Sequence, residues 1–102
     1  MIRHIVMYCL REDCDKAAAI EEIRVALEGL VGVIPGLQTM KIRPAIGGSA
    51  GAIKDGRFDY ILYSEFESQE ALDGYKTHPA HLAVKPIVHG YITARVAGDC
   101  EE

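Results

Sequence analysis

The amino-acid sequence predicts an α+β domain, an antiparallel sheet with its helices on one face. Three observations lead there. Runs rich in β-formers alternate with stretches of 3.6-residue periodicity in the order βαββαβ. Proline and glycine punctuate the boundaries at Ile34-Pro35-Gly36, Gly47-Gly48 and His78-Pro79. The strands also carry apolar residues on both faces, and two helices cover only one of them, so the other calls for a partner.

The first strand spans residues 2–10, with Ile2, Val6 and Tyr8 facing one way and Ile5, Met7 and Cys9 the other. Asp15 is placed to cap a helix in which Ile20, Ile23, Leu27, Leu30 and Val31 share a face opposite Glu21, Glu22, Arg24 and Glu28. Ile34-Pro35-Gly36 ends it. A second strand over 37–46 sets Leu37, Thr39 and Lys41 against Met40 and Ile42. Residues 47–56 hold four glycines and form an exposed connector; they lack the Gly-Lys-Ser/Thr ending of a phosphate loop. The third strand, 58–67, turns Phe58, Tyr60, Leu62 and Phe66 to one face and Ile61 and Tyr63 to the other. Ser68 caps a short helix carrying Ala71, Leu72 and Tyr75. Pro79 interrupts that helix because it lacks an N–H, then restarts it from the favoured first position. His81, Val84, Lys85 and Val88 follow at helical spacing, and a fourth strand runs from about Tyr91 to Val96. Residues 1–98 thus make one ferredoxin-like domain of the split βαβ kind, and residues 99–102 an acidic tail.

At 102 residues, 49 % hydrophobic and 25 % charged, the chain has the composition of one globular domain. Its net charge of −4 argues against nucleic acid and anionic membrane as partners, both of which favour basic faces. The sequence also lacks the Arg/Lys-Gly-Phe/Tyr strand motif of an RNA-binding relative of the same topology. No stretch reaches the ~18 apolar residues of a membrane span. The N-terminus reads as a strand and not a signal peptide. Three cysteines, none at Cys-x-x-Cys spacing, fit a reducing compartment, so the chain is expected in the cytoplasm. The two-faced strands predict a homodimer joined sheet to sheet.

The chemistry concentrates in Tyr75-Lys76-Thr77-His78-Pro79-Ala80-His81, read together with His4. These two places hold three of the four histidines. Imidazole titrates near neutrality, and beside a phenol it suggests proton transfer, metal binding or recognition of a polar ligand. The bland readings are a hydrogen-bonded core histidine for His4, a packing histidine for His81 and a core aromatic for Tyr75. His78 precedes a proline and is suited to accept at the helix start. Zinc held by His4, His78 and His81 competes, but Pro79 breaks the helix between the last two.

Ile2-Arg3-His4-Ile5-Val6-Met7-Tyr8, the Ile34-Pro35-Gly36-Leu37 turn, Phe66-Glu67-Ser68 and above all His78-Pro79-Ala80-His81 occur in an order that resembles the stress-responsive dimeric α/β-barrel family, Dabb. The resemblance covers about Ile2 to Val96. It implies a dimer in which two sheets close into a barrel. One plant branch includes a polyketide cyclase, and its catalytic positions correspond to Tyr75 and His81, with His4 matching a supporting histidine. Leu27 stands where that enzyme has a pocket tyrosine, and Tyr60 where it has a histidine. Some plant relatives are also similar at the Val31 to Leu37 turn, where backbone carbonyls can hold a hard cation.

The function so implied is a pocket for a small apolar or carbonyl ligand, with acid–base chemistry that needs neither cofactor nor metal. His81 would be the base and Tyr75 the hydrogen-bond donor, with His4 orienting. Tyr60, Leu27, Tyr8 and His78 would contact the ligand. The alternative is a stress-response or ligand-binding dimer without catalysis.

Overall fold

The computed structural model describes residues 1–49, Gly51 and residues 56–102; of the glycine-rich connector, Ala50 and residues 52–55 lie outside the described residues. Along the chain come β1 (Ile2–Leu10), α1 (Lys16–Glu28), β2 (Leu37–Pro44), β3 (Tyr60–Phe66), α2 (Gln69–Thr77), α3 (Pro79–His89) and β4 (Ile92–Glu101). The strands pair antiparallel in the order β2-β3-β1-β4, the ferredoxin-like arrangement, with the helices on one face. Alternation along the strands decides which side chains meet the helices. Ile2, His4, Val6, Tyr8 and Leu10 are buried from β1, and Tyr60, Leu62, Ser64 and Phe66 from β3. Ile20, Ile23 and Leu27 of α1, with Leu72 and Tyr75 of α2, close over them.

The caps behave as their chemistry predicts. The Asp15 carboxylate accepts from Ala18 N–H at 3.1 Å, and Ser68 Oγ accepts from Ala71 N–H at 3.1 Å. His78 is extended, as a residue before proline must be, and separates α2 from α3.

The second and third strands are shorter than expected, Leu37–Pro44 and Tyr60–Phe66, and three features depart further from the sequence reading. First, α1 stops at Glu28 and gives way to turns in which the Leu30 carbonyl accepts from both Val33 and Ile34. The chain leaves the helix at Gly29 and turns on through Gly32, whose φ is 87°, and Val31 is left exposed instead of on the apolar face. Second, a bulge between Leu37 and Thr39 turns Leu37 inward together with Met40 and Ile42, so those three share the face they were expected to divide. Third, residues 99–101 are no tail. β4 continues to Glu101, paired residue for residue with β1 down to Ile2, because the main-chain ladder tolerates polar side chains at a sheet edge.

Gly36 shows how closely the layers approach. Its φ of 81° is left-handed, and a Cβ there would lie 2.5 Å from that of Ala71 on α2. Gly36→Ala is therefore expected to cost about 2 kcal/mol or more, from backbone strain and overpacking together. Urea denaturation measures this, and an unchanged midpoint would mean that α2 yields without cost.

Candidate functional site

A cavity of about 240 Å³ opens between α3, the end of α2 and the helix-covered face of the sheet. Its floor is buried and mixed in polarity: His4 and Tyr8 from β1, Leu27 from α1, Leu62 from β3 and Tyr75 from α2. His81, Val84, Lys85, Val88 and His89 of α3 form one wall, since positions three and four apart share a helix face.

Tyr75 and His81 stack face to face, ring centroids 4.0 Å apart and 22° from parallel. The break at His78-Pro79 makes this contact. It ends α2 just after Tyr75 and folds the next helix back so that His81, in its first turn, reaches the phenol. Phe66 supports the pair, 5.1 Å from Tyr75 and edge-on to His4 at 6.5 Å. Nδ1 of His81 is buried without a hydrogen-bond partner among the described residues. Burial holds His81 below the usual imidazole pKa; the Lys85 and His4 charges push the same way, against the carbonyls of Lys76 and Tyr75. The ring is therefore neutral at physiological pH, the form a base requires. Burial moves Tyr75 the other way, well above an ordinary phenol, so its hydroxyl keeps its proton as a donor should.

His4 is tied down from the edge strand. Its Nδ1 meets Asp99 Oδ1 at 2.5 Å, and Ser64 Oγ donates to its carbonyl at 2.9 Å. A carboxylate on Nδ1 selects the tautomer with the proton there and leaves Nε2 to accept.

The expected residues divide. His4, Tyr75, His81, Tyr8 and Leu27 come together around this cavity. Tyr60 does not line it; its ring stacks on Tyr8 at 4.6 Å from below, and its hydroxyl is buried with no partner among the described residues. His78 faces elsewhere. Its Nδ1 accepts from Ala80 N–H at 3.0 Å, and the residue borders a separate depression with Pro35, Gly36 and Glu67. His78 thus joins no zinc set, and the described residues contain no cluster of three or more His, Cys, Asp or Glu able to hold a metal. At the Val31 to Leu37 turn, the Ile34 carbonyl already accepts from Leu37.

Sequence reasoning gave no site role to Asp99, Lys76, Lys85, His89 or Arg95. Asp99 and Arg95 sit opposite His4 and Tyr8 in the β1–β4 register. Continuing the fourth strand's alternation past Val96 would have found Asp99.

The Tyr60 hydroxyl carries its own expectation. A buried donor without a partner costs about 1–3 kcal/mol, so Tyr60→Phe should stabilise the fold by about 1 kcal/mol. A lower melting temperature in that variant would mean that the hydroxyl has a partner.

The model of the Dabb family, the stress responsive A/B barrel domain, matches residues 2–102. The chain belongs to that family. Solved structures share the fold. A dimeric protein of unknown function and ferredoxin-like fold from Bacteroides fragilis is 25% identical, with a TM-score of 0.82 over 99% of this chain and 95% of that one. A Dabb family protein from Mesorhizobium loti is 20% identical, with a TM-score of 0.76 over 99% and 95%. The hydroxynitrile lyase of Passiflora edulis is 20% identical, with a TM-score of 0.77 over 97% and 90%. No curated protein matches the chain. Among the described residues, no helix of this Dabb domain is long and apolar enough to cross a membrane.

Proposed function

We propose that this Dabb protein is a homodimer that binds a small carbonyl compound in the cavity and moves protons on it without a cofactor. The observation that carries the reading is the stacked Tyr75–His81 pair on a cavity that also holds His4. Neutral His81 takes the proton from the carbon beside a carbonyl. Tyr75 donates its O–H to the enolate oxygen as negative charge develops there. His4, oriented by Asp99, offers Nε2 as an acceptor to a ligand hydroxyl, such as the enol form of a second carbonyl. That a protein of this fold from Passiflora edulis is a hydroxynitrile lyase agrees with an enzyme on this architecture, although the fold does not fix the reaction.

The dimer rests on the open face of the sheet. Ile5, Met7, Ile61 and Val96 form an apolar stripe there, while all three helices lie on the other side. The Bacteroides fragilis neighbour is described as dimeric, which supports the same assembly here.

The test needs no knowledge of the natural substrate. A β-keto ester such as ethyl acetoacetate in D₂O loses its α-hydrogens to deuterium, and NMR follows the rate. The protein should accelerate this exchange above buffer alone. Binding of the ester without acceleration would favour the second reading, a ligand-binding dimer without catalysis.

A further inference from the structure

The cavity has a cationic rim, although the chain as a whole carries a net charge of −4. Lys76, Lys85 and Arg95 line it along with His4, His81 and His89, and among the described residues no Asp or Glu does. Three elements supply the rim. Lys76 follows Tyr75 on α2, and Lys85 lies one turn beyond His81 on α3. Arg95 stands opposite Tyr8 in the β1–β4 register, which puts it on the helix-covered face. All three are exposed above the buried floor.

Five cations elsewhere are neutralised, while Lys41 and Arg57 stand apart from one another on the surface. Arg3, Arg11, Lys16, Arg24 and Arg43 each pair with a carboxylate. Lys76, Lys85 and Arg95 form no ion pair with any described residue. The charge of Arg95 also reaches the phenols of Tyr8, Tyr60 and Tyr75, where it opposes the larger effect of burial. Like charges gathered around one cavity repel each other, and among the described residues no carboxylate pairs with Lys76, Lys85 or Arg95; Asp99 is engaged with His4. An entering anion would offset that repulsion. A cavity of about 240 Å³ limits that anion to a small molecule.

We infer that the cavity selects an anionic carbonyl compound, a keto acid whose carboxylate sits between Arg95 and Lys85 while its carbonyl reaches Tyr75 and His81. The arginine fork matches a carboxylate in geometry, and Lys85 adds a point charge beside it. This rests on the reading of the cavity as a carbonyl site and adds the class of substrate.

Two stable probes separate the parts: 3-benzoylpropionate, a keto acid, and its neutral methyl ester. Calorimetric titration compares both on the wild type, Arg95→Gln and Lys85→Gln. The acid should bind roughly ten-fold tighter than the ester, the size of one charge-assisted hydrogen bond. The preference should shrink in either variant and in about 0.5 M salt, which screens exposed charges within a few ångströms. The ester should change far less. Because both side chains are exposed, neither substitution disturbs the core. Equal affinity for acid and ester, or a preference untouched by both substitutions, would overturn the anionic selection and leave the carbonyl site standing. Binding of neither probe would overturn both.

Discussion

Replacing His81 with alanine is expected to lower the rate of α-hydrogen exchange in a β-keto ester by about 10²–10⁴-fold, the usual contribution of a positioned general base. The ester should still bind, since Tyr75 and the apolar floor remain. The pH profile supplies an independent check. His81 acts as a base only when neutral, and burial holds its pKa below the usual 6.5. The wild-type rate should therefore persist through pH 6.5 and fall only as pH drops through that lowered value. The alanine variant should lack this acid limb. A limb centred above 6.5 in the wild type, or one that survives the substitution, would assign the base to another group. Tyr75 should show no alkaline limb near neutrality, because burial raises the phenol above its ordinary value.

Met7→Arg should separate the subunits. Met7 lies at the centre of the open face, paired with Ile61 on one side and Val96 on the other. Sheet-to-sheet packing would bury the new guanidinium without a partner, and an uncompensated buried charge costs about 3–5 kcal/mol. The dimer dissociation constant should rise by at least ~100-fold, which sedimentation velocity across a dilution series measures. The isolated chain should keep its far-ultraviolet dichroism, since the helix-covered core is on the other face. A variant that sediments as a dimer at the same concentrations as the wild type would place the interface elsewhere.

Much of the fold was legible because each clue is local. Asp15 and Ser68 announce helix starts through their side-chain oxygens, and Pro79 marks the break that divides α2 from α3. The alternation of β1 and β3 sorted their faces correctly. Where the reading failed, a tertiary contact overruled a local pattern. Val31 continues the apolar period of α1, yet the helix ends at Glu28 and Val31 is exposed in the turns that follow. Leu37 has the wrong parity for its face until the bulge after it adds a residue. Asp99, Cys100 and Glu101 look like a solvated tail by composition, but the β1 ladder makes them strand.

The candidate site shows the same division. Tyr75 and His81 are close in sequence on either side of a proline, so their meeting was foreseeable from the chain alone. His4 and Asp99 come from opposite ends of the chain, and only strand register unites them. Tyr60 and His78 are of types suited to a pocket, yet one packs beneath its floor and the other spends its ring on a helix start. Local order therefore established the elements, the two-faced sheet and the Tyr75–His81 motif, because caps, breaks and alternation act over a few residues. Three-dimensional packing alone chose which polar groups share the cavity and ringed it with Lys76, Lys85 and Arg95, because that choice depends on the pairing of β4 with β1 and on the angle at which α3 folds back.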